Sequence, residues 1–101
     1  MDSGFQLVRS NDVAIEGIPG TELVVRAGGR TLGSLRGFIV ERSHERIRYV
    51  LVRASGLFGK STLLPFSDPR VDFGARAIDL DIDDRTLWQL RDFTPKQLLT
   101  T

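Results

Sequence analysis

The chain has 101 residues, enough for one domain and too few for two ordinary ones. It is 41% hydrophobic and 27% charged, a globular composition, and it has no cysteine, which excludes disulfides, thiolate nucleophiles, iron–sulfur clusters and cysteine zinc sites. Its net charge of +1 lacks the strongly basic balance of a dedicated nucleic-acid binder.

The first residues, Met1-Asp2-Ser3-Gly4, show neither the basic start nor the apolar run of a secretory signal. No stretch reaches the ~20 apolar residues of a membrane span, so a cytoplasmic protein without membrane insertion is expected. Residues 1–20 read as an N-terminal arm with short extended pieces at Phe5–Val8 and Val13–Ile15, ending at the Pro19-Gly20 turn.

From residue 21 onward the strand signals are regular. Glu22–Ala27 is a β-branched run, and Gly28-Gly29 suits the positive φ angles of a two-residue hairpin loop. Thr31–Glu41 is the returning strand, in which Gly33 and Gly37 mark a bulge or bend. After the polar turn Arg42–Arg46 comes Ile47–Ala54. Strict alternation there puts Ile47, Tyr49 and Leu51 on one side and Val50, Val52 and Ala54 on the other. Both sides are apolar, so both require cover.

Ser55–Ser61 is a glycine-bracketed loop with Leu57 and Phe58 at its tip. Thr62–Phe66 is a strand ended by Pro65, which cannot donate to a ladder. Val71–Phe73 and Arg76–Ile82 form a last hairpin around Gly74, with Ile78, Leu80 and Ile82 inward and Asp79, Asp81 and Asp83 outward. Asp84–Leu90 reads as a helix, and Thr94-Pro95 as the start of a second short one at Lys96–Leu99. The fold expected is all-β in the main: a small six-stranded antiparallel barrel spanning about Glu22 to Ile82, with one or two short C-terminal helices.

Motifs that would carry chemistry fail on their context. Gly59-Lys60-Ser61-Thr62 ends like a phosphate-binding loop, but position 54 is Ala54 and a strand follows instead of a helix. Gly56-Leu57-Phe58-Gly59 has the GxxG form of an RNA clamp, yet it lies between strands. A calcium loop starting at Asp79 would need glycine and glutamate where Asp84 and Leu90 stand. The lone His44 sits in a polar turn and cannot build a multi-histidine metal site. No nucleophile motif accompanies it. No catalytic residue, metal or cofactor is expected, and the protein reads as a non-enzyme.

The order of several segments resembles the PRC-barrel family. They are Gly28-Gly29 before Leu32-Gly33, Gly-Phe-Ile-Val-Glu at 37–41, Arg46–Val52, the Gly56–Gly59 loop, Leu63-Leu64-Pro65-Phe66-Ser67, and Ile78-Asp79-Leu80-Asp81 before a terminal helix. The resemblance implies a small six-stranded barrel with no shared catalytic residues. The family includes the cytoplasmic domain of the photosynthetic reaction-centre H subunit, the C-terminal half of the ribosome maturation factor RimM, and free-standing bacterial and archaeal proteins. This chain lacks the membrane helix of the first and has only twenty residues where the second has a separate domain, which favours a free-standing adaptor.

Two functions follow as expectations. One is a protein-interaction module that forms a homodimer through the two-sided strand Ile47–Ala54 and the Leu57-Phe58 tip. The alternative is an RNA- or ribosome-associated factor using the basic stretch Arg26–Lys60, above all Arg42, Arg46, Arg48 and Lys60. The partner-binding candidates are therefore Leu57, Phe58, Lys60, Arg46 and Arg48. The near-zero net charge and single Tyr49 argue against base stacking.

Overall fold

A computed structural model of the chain describes residues 4–54 and 61–90. Its strands are β1 (Phe5–Arg9), β2 (Ala14–Ile15), β3 (Ile18–Pro19), β4 (Val24–Ala27), β5 (Arg30–Glu41), β6 (Arg46–Ala54), β7 (Ser61–Pro65), β8 (Arg70–Asp72) and β9 (Ala77–Leu80). One helix, α1 (Asp84–Leu90), follows. The second helix expected at Lys96–Leu99 lies outside the described residues. No helix among the described residues is long and apolar enough to cross a membrane.

The chain is mainly β, as its alternation predicts, but it is not a closed six-stranded antiparallel barrel. One sheet runs β7-β6-β5-β4-β9-β8, with β1 added to β5, and β2–β3 form a separate ribbon. The end strands β7 and β8 do not pair with each other, and β4 lies parallel to β9. The physical reason is the length of β5 and the shortness of the ends. β6 occupies one edge of β5, while β4 takes Arg30–Ser34 and β1 takes Gly37–Glu41 on the other. At the ends, β8 has three residues, and β7 stops at Pro65, which has no N–H to extend a ladder. A backbone hydrogen bond of 2.9 Å from the Asp81 N–H to the Ser67 carbonyl joins the segments just beyond β9 and β7.

The turn chemistry is as the sequence indicates at Gly28-Gly29. Both residues have positive φ (58° and 78°), and Ala27 faces Arg30 across a two-residue loop. Glu16-Gly17 makes the same kind of loop between β2 and β3, with φ of 46° and 87°.

The bends expected at Gly33 and Gly37 are real and have a packing cause. The ladder register shifts between Val25 and Arg26 and again between Leu35 and Gly37, beside these two residues. A Cβ on Gly33 would lie 2.0 Å from the Arg53 carbonyl oxygen, and one on Gly37 2.5 Å from that of Val8. The bulges also change the side-chain period of β5. Leu32, Leu35 and Phe38, three residues apart, all face the same core.

A bulge corrects the alternation read for Ile47–Ala54. Ile39 faces Tyr49 but Val40 faces Ile47, leaving Arg48 as the extra residue. Ile47 therefore joins Val50 and Val52 in the main core instead of siding with Tyr49 and Leu51. That core contains Leu23, Val25, Leu35, Phe38, Ile78 and Leu80, with Val13, Ile15 and Ile18 from the arm and Leu87 from α1 packed against it.

The other side of β5–β6–β7 carries a second, smaller cluster: Ile39, Leu51 and Leu63, flanked by Phe5, Leu7 and Tyr49. Ile39 and Leu63 are fully buried, and Leu51 is 9% exposed. Phe5 meets Tyr49 edge to face at 6.3 Å between ring centroids. This side of β6 is one ground for expecting a dimer, and within one chain Ile39, Leu51 and Leu63 on that side of the sheet are buried; the other ground, the Leu57-Phe58 tip, lies outside the described residues.

Candidate anion-binding groove

Two glycine-enforced approaches shape one groove on the β1–β5–β6 side of the sheet. Gly37 lets the backbone of Val8 and Arg9 press against β5, and Gly33 does the same for the backbone of Arg53. Between them Arg36 is the extra residue of the bulge, facing neither Leu51 nor Val52 in the ladder. A bulge of this kind re-aims the side chain it releases.

The result is a groove of about 560 Å³ that Arg9, Arg36 and Arg53 line together. Its apolar lining is Leu7 and Leu51, which also belong to the second cluster. Ser10, Asn11, Thr21 and Ser61 supply hydroxyl and amide groups at the sides. Among the described residues no carboxylate lines the groove, and none of its arginines makes an ion pair.

Four arginines elsewhere are committed, whereas Arg42, Arg46, Arg70 and Arg85 are exposed and have no ion pair among the described residues. Arg26 holds Asp79 through Nε (2.6 Å) and Nη2 (2.8 Å) and reaches Asp72 at 3.0 Å. Arg30 pairs with Asp84, Arg48 with Glu41, and Arg76 with Glu22. The first cluster shifts its acids. The Arg26 guanidinium holds the Asp79 carboxyl below the usual aspartate range. The Ala75 N–H and then Arg26 do the same for Asp72.

The aspartates expected on the outer side of the last hairpin divide among such local tasks. Asp83 caps α1, accepting from the Thr86 N–H at 2.8 Å, and this bond lowers its pKa. Asp81 is exposed on a shallow surface near Asp68 and Asp83.

The residues singled out from sequence fall elsewhere. Arg46 opens β6, exposed and opposite Glu41, and Arg48 is drawn toward Glu41 at 3.4 Å. Arg46 and Arg48 sit about 23 and about 17 Å along the strand from Arg53 at the usual rise. Leu57, Phe58 and Lys60 lie outside the described residues. His44 is exposed in its turn, 2.9 Å from the Ser43 hydroxyl and 3.4 Å from Glu41.

Arg9, Arg36 and Arg53 escape sequence reasoning because they come from three strands. The bulge signal at Gly37 was the one local clue to Arg36. No family model and no curated protein matches the chain.

Proposed function

We propose that this protein is a non-catalytic binding module, an adaptor of the PRC-barrel type, whose working surface is the Arg9–Arg36–Arg53 groove and whose partner presents anionic groups there. The observation that carries this reading is the grouping of Arg9, Arg36 and Arg53 in one groove with no carboxylate among its described lining; Arg26, Arg30, Arg48 and Arg76 each have a carboxylate, and the unpaired Arg42, Arg46, Arg70 and Arg85 do not line the groove. Like charges converge at a cost that an anionic ligand relieves, and the planar guanidinium fork suits carboxylate and phosphate equally. Among the described residues the lining has no histidine, carboxylate, lysine or cysteine to move a proton or attack a bond, which supports binding rather than catalysis. The order of segments that resembles the PRC-barrel family supports an adaptor role in the same way.

The test is affinity capture from lysate of the native cell, comparing the wild-type protein with an Arg9→Glu/Arg36→Glu/Arg53→Glu variant, with and without nuclease. Partners held by the wild type, released by raised salt and lost by the variant are expected. An identical set of captured partners on the variant, folded by circular dichroism, overturns the assignment of the groove.

A further inference from the structure

Resting on that reading, we infer that the groove's partner is an acidic, extended protein segment. Its carboxylates pair with Arg9, Arg36 and Arg53, while one of its aliphatic side chains lies against Leu7 and Leu51.

Three features favour a peptide over a nucleic acid. First, the lining contains no aromatic ring among the described residues. Single-stranded nucleic acids are held largely by stacking on rings, and positive charge without a platform supplies only half of that recognition. The two rings nearest in the sheet, Phe5 and Tyr49, pack against each other instead. Second, apolar surface separates the charges. Leu7 and Leu51 belong to a buried cluster but contribute to the groove wall, so the floor offers a place for a branched aliphatic group that a phosphate backbone cannot fill. Third, the positive field is local. The chain carries only +1 overall, so it lacks the strongly basic balance with which a dedicated binder of long polyanions tracks a phosphate backbone, whereas a short acidic segment needs only the groove. The hydroxyl and amide groups of Ser10, Asn11, Thr21 and Ser61 can meet the peptide's own backbone groups.

The experiment is fluorescence anisotropy on the full chain with three probes. They are a ten-residue peptide of glutamates around one central leucine, the same peptide with serine for leucine, and a single-stranded RNA of equal charge. The leucine peptide is expected to bind several times more tightly than the serine peptide, and more tightly than the RNA. Arg36→Glu, and separately Arg53→Glu, should weaken it about tenfold or more, the scale of a lost charge-assisted hydrogen bond. Both arginines are exposed, and a thermal melt confirms that each variant folds. RNA binding equal to or tighter than the peptide's, and still dependent on Arg36 and Arg53, overturns the peptide inference and leaves the anion groove standing. Peptide binding indifferent to the leucine-to-serine change also overturns it, since the apolar floor then plays no part. Failure of every probe, together with cellular partners unaffected by the groove variant, removes both readings.

Discussion

Arg26 on β4 stands opposite Asp79 on β9 in the parallel register, and its guanidinium meets both carboxylate oxygens, at 2.6 and 2.8 Å. A planar fork on a planar carboxylate fixes the direction as well as the distance of approach. The pair therefore ties together the two strands whose parallel alignment sets this sheet apart from an antiparallel barrel.

That pair gives the protein an acid-side stability profile with a defined sign. Asp79 and Asp72 have pKa values below the ordinary aspartate value of 3.8. On lowering the pH, the unfolded chain takes up protons first, so the stabilisation is full above the ordinary value and is lost as pH falls through it toward the folded-state value. Melting temperature should hold steady between about pH 5 and 7 as far as these groups are concerned, and drop below about pH 4. Asp79→Asn should lower it at neutral pH and flatten the acid limb. An Asp79→Asn profile that parallels the wild type at every pH contradicts the assignment.

The close approach at Gly37 predicts a severe cost for a single methyl group. Gly37→Ala should destabilise by about 1–3 kcal/mol or more, because the Val8 carbonyl and a backbone strand must move rather than a flexible side chain. Gly74→Ala is the control. Its added Cβ meets the Asp72 side chain at an ordinary 3.6 Å, and a surface change of that kind stays within about 0.5 kcal/mol. Urea unfolding of both variants measures the difference, and equal midpoints would contradict the packing argument.

The second apolar cluster can be tested against the view that only one side of the sheet is structural. Ile39→Ala, on the outer side, should cost about 2–5 kcal/mol because its site is sealed. Phe73→Ala should cost less than about 0.5 kcal/mol, since Phe73 is 49% exposed. A mild effect at Ile39 would mean that this face is loosely covered, and would restore the argument for self-association through it.

His44→Ala should leave stability within about 0.5 kcal/mol of wild type and leave partner capture unchanged, because the side chain is exposed and its described polar contacts are to Ser43 in its turn and, at 3.4 Å, to Glu41 at the end of β5. Loss of partner binding by a folded His44→Ala protein would move the working surface away from the groove.

Much of this fold is written locally. The β-branched runs, the Gly28-Gly29 loop and the bend residues Gly33 and Gly37 declare themselves because each depends on neighbours a few positions away. Ile47 illustrates what escapes. Its side is decided by an extra residue at Arg48, and nothing in an apolar run marks where a ladder slips. The partners of β5 escape for another reason: β1 and β4 share one edge by long-range competition, and Phe5–Arg9 carries no sign of which strand it will join. The groove combines both difficulties, since it needs the slip at Arg36 and the docking of β1 at once.

The layout of the sheet also orders its assembly in time. β5, β6 and β7 follow one another as a meander whose contacts close over short loops, whereas Arg26 and Asp79 are 53 positions apart. Closing so long a loop costs chain entropy before any contact is made, so the meander is expected to form in the rate-limiting step and the β4–β9 seam to zip afterwards. Changes in the meander, such as Val50→Ala, should then slow folding. Breaking the Arg26–Asp79 lock should leave the folding rate nearly untouched and act almost wholly by speeding unfolding, which makes the parallel seam the element that sets how long the native molecule lasts.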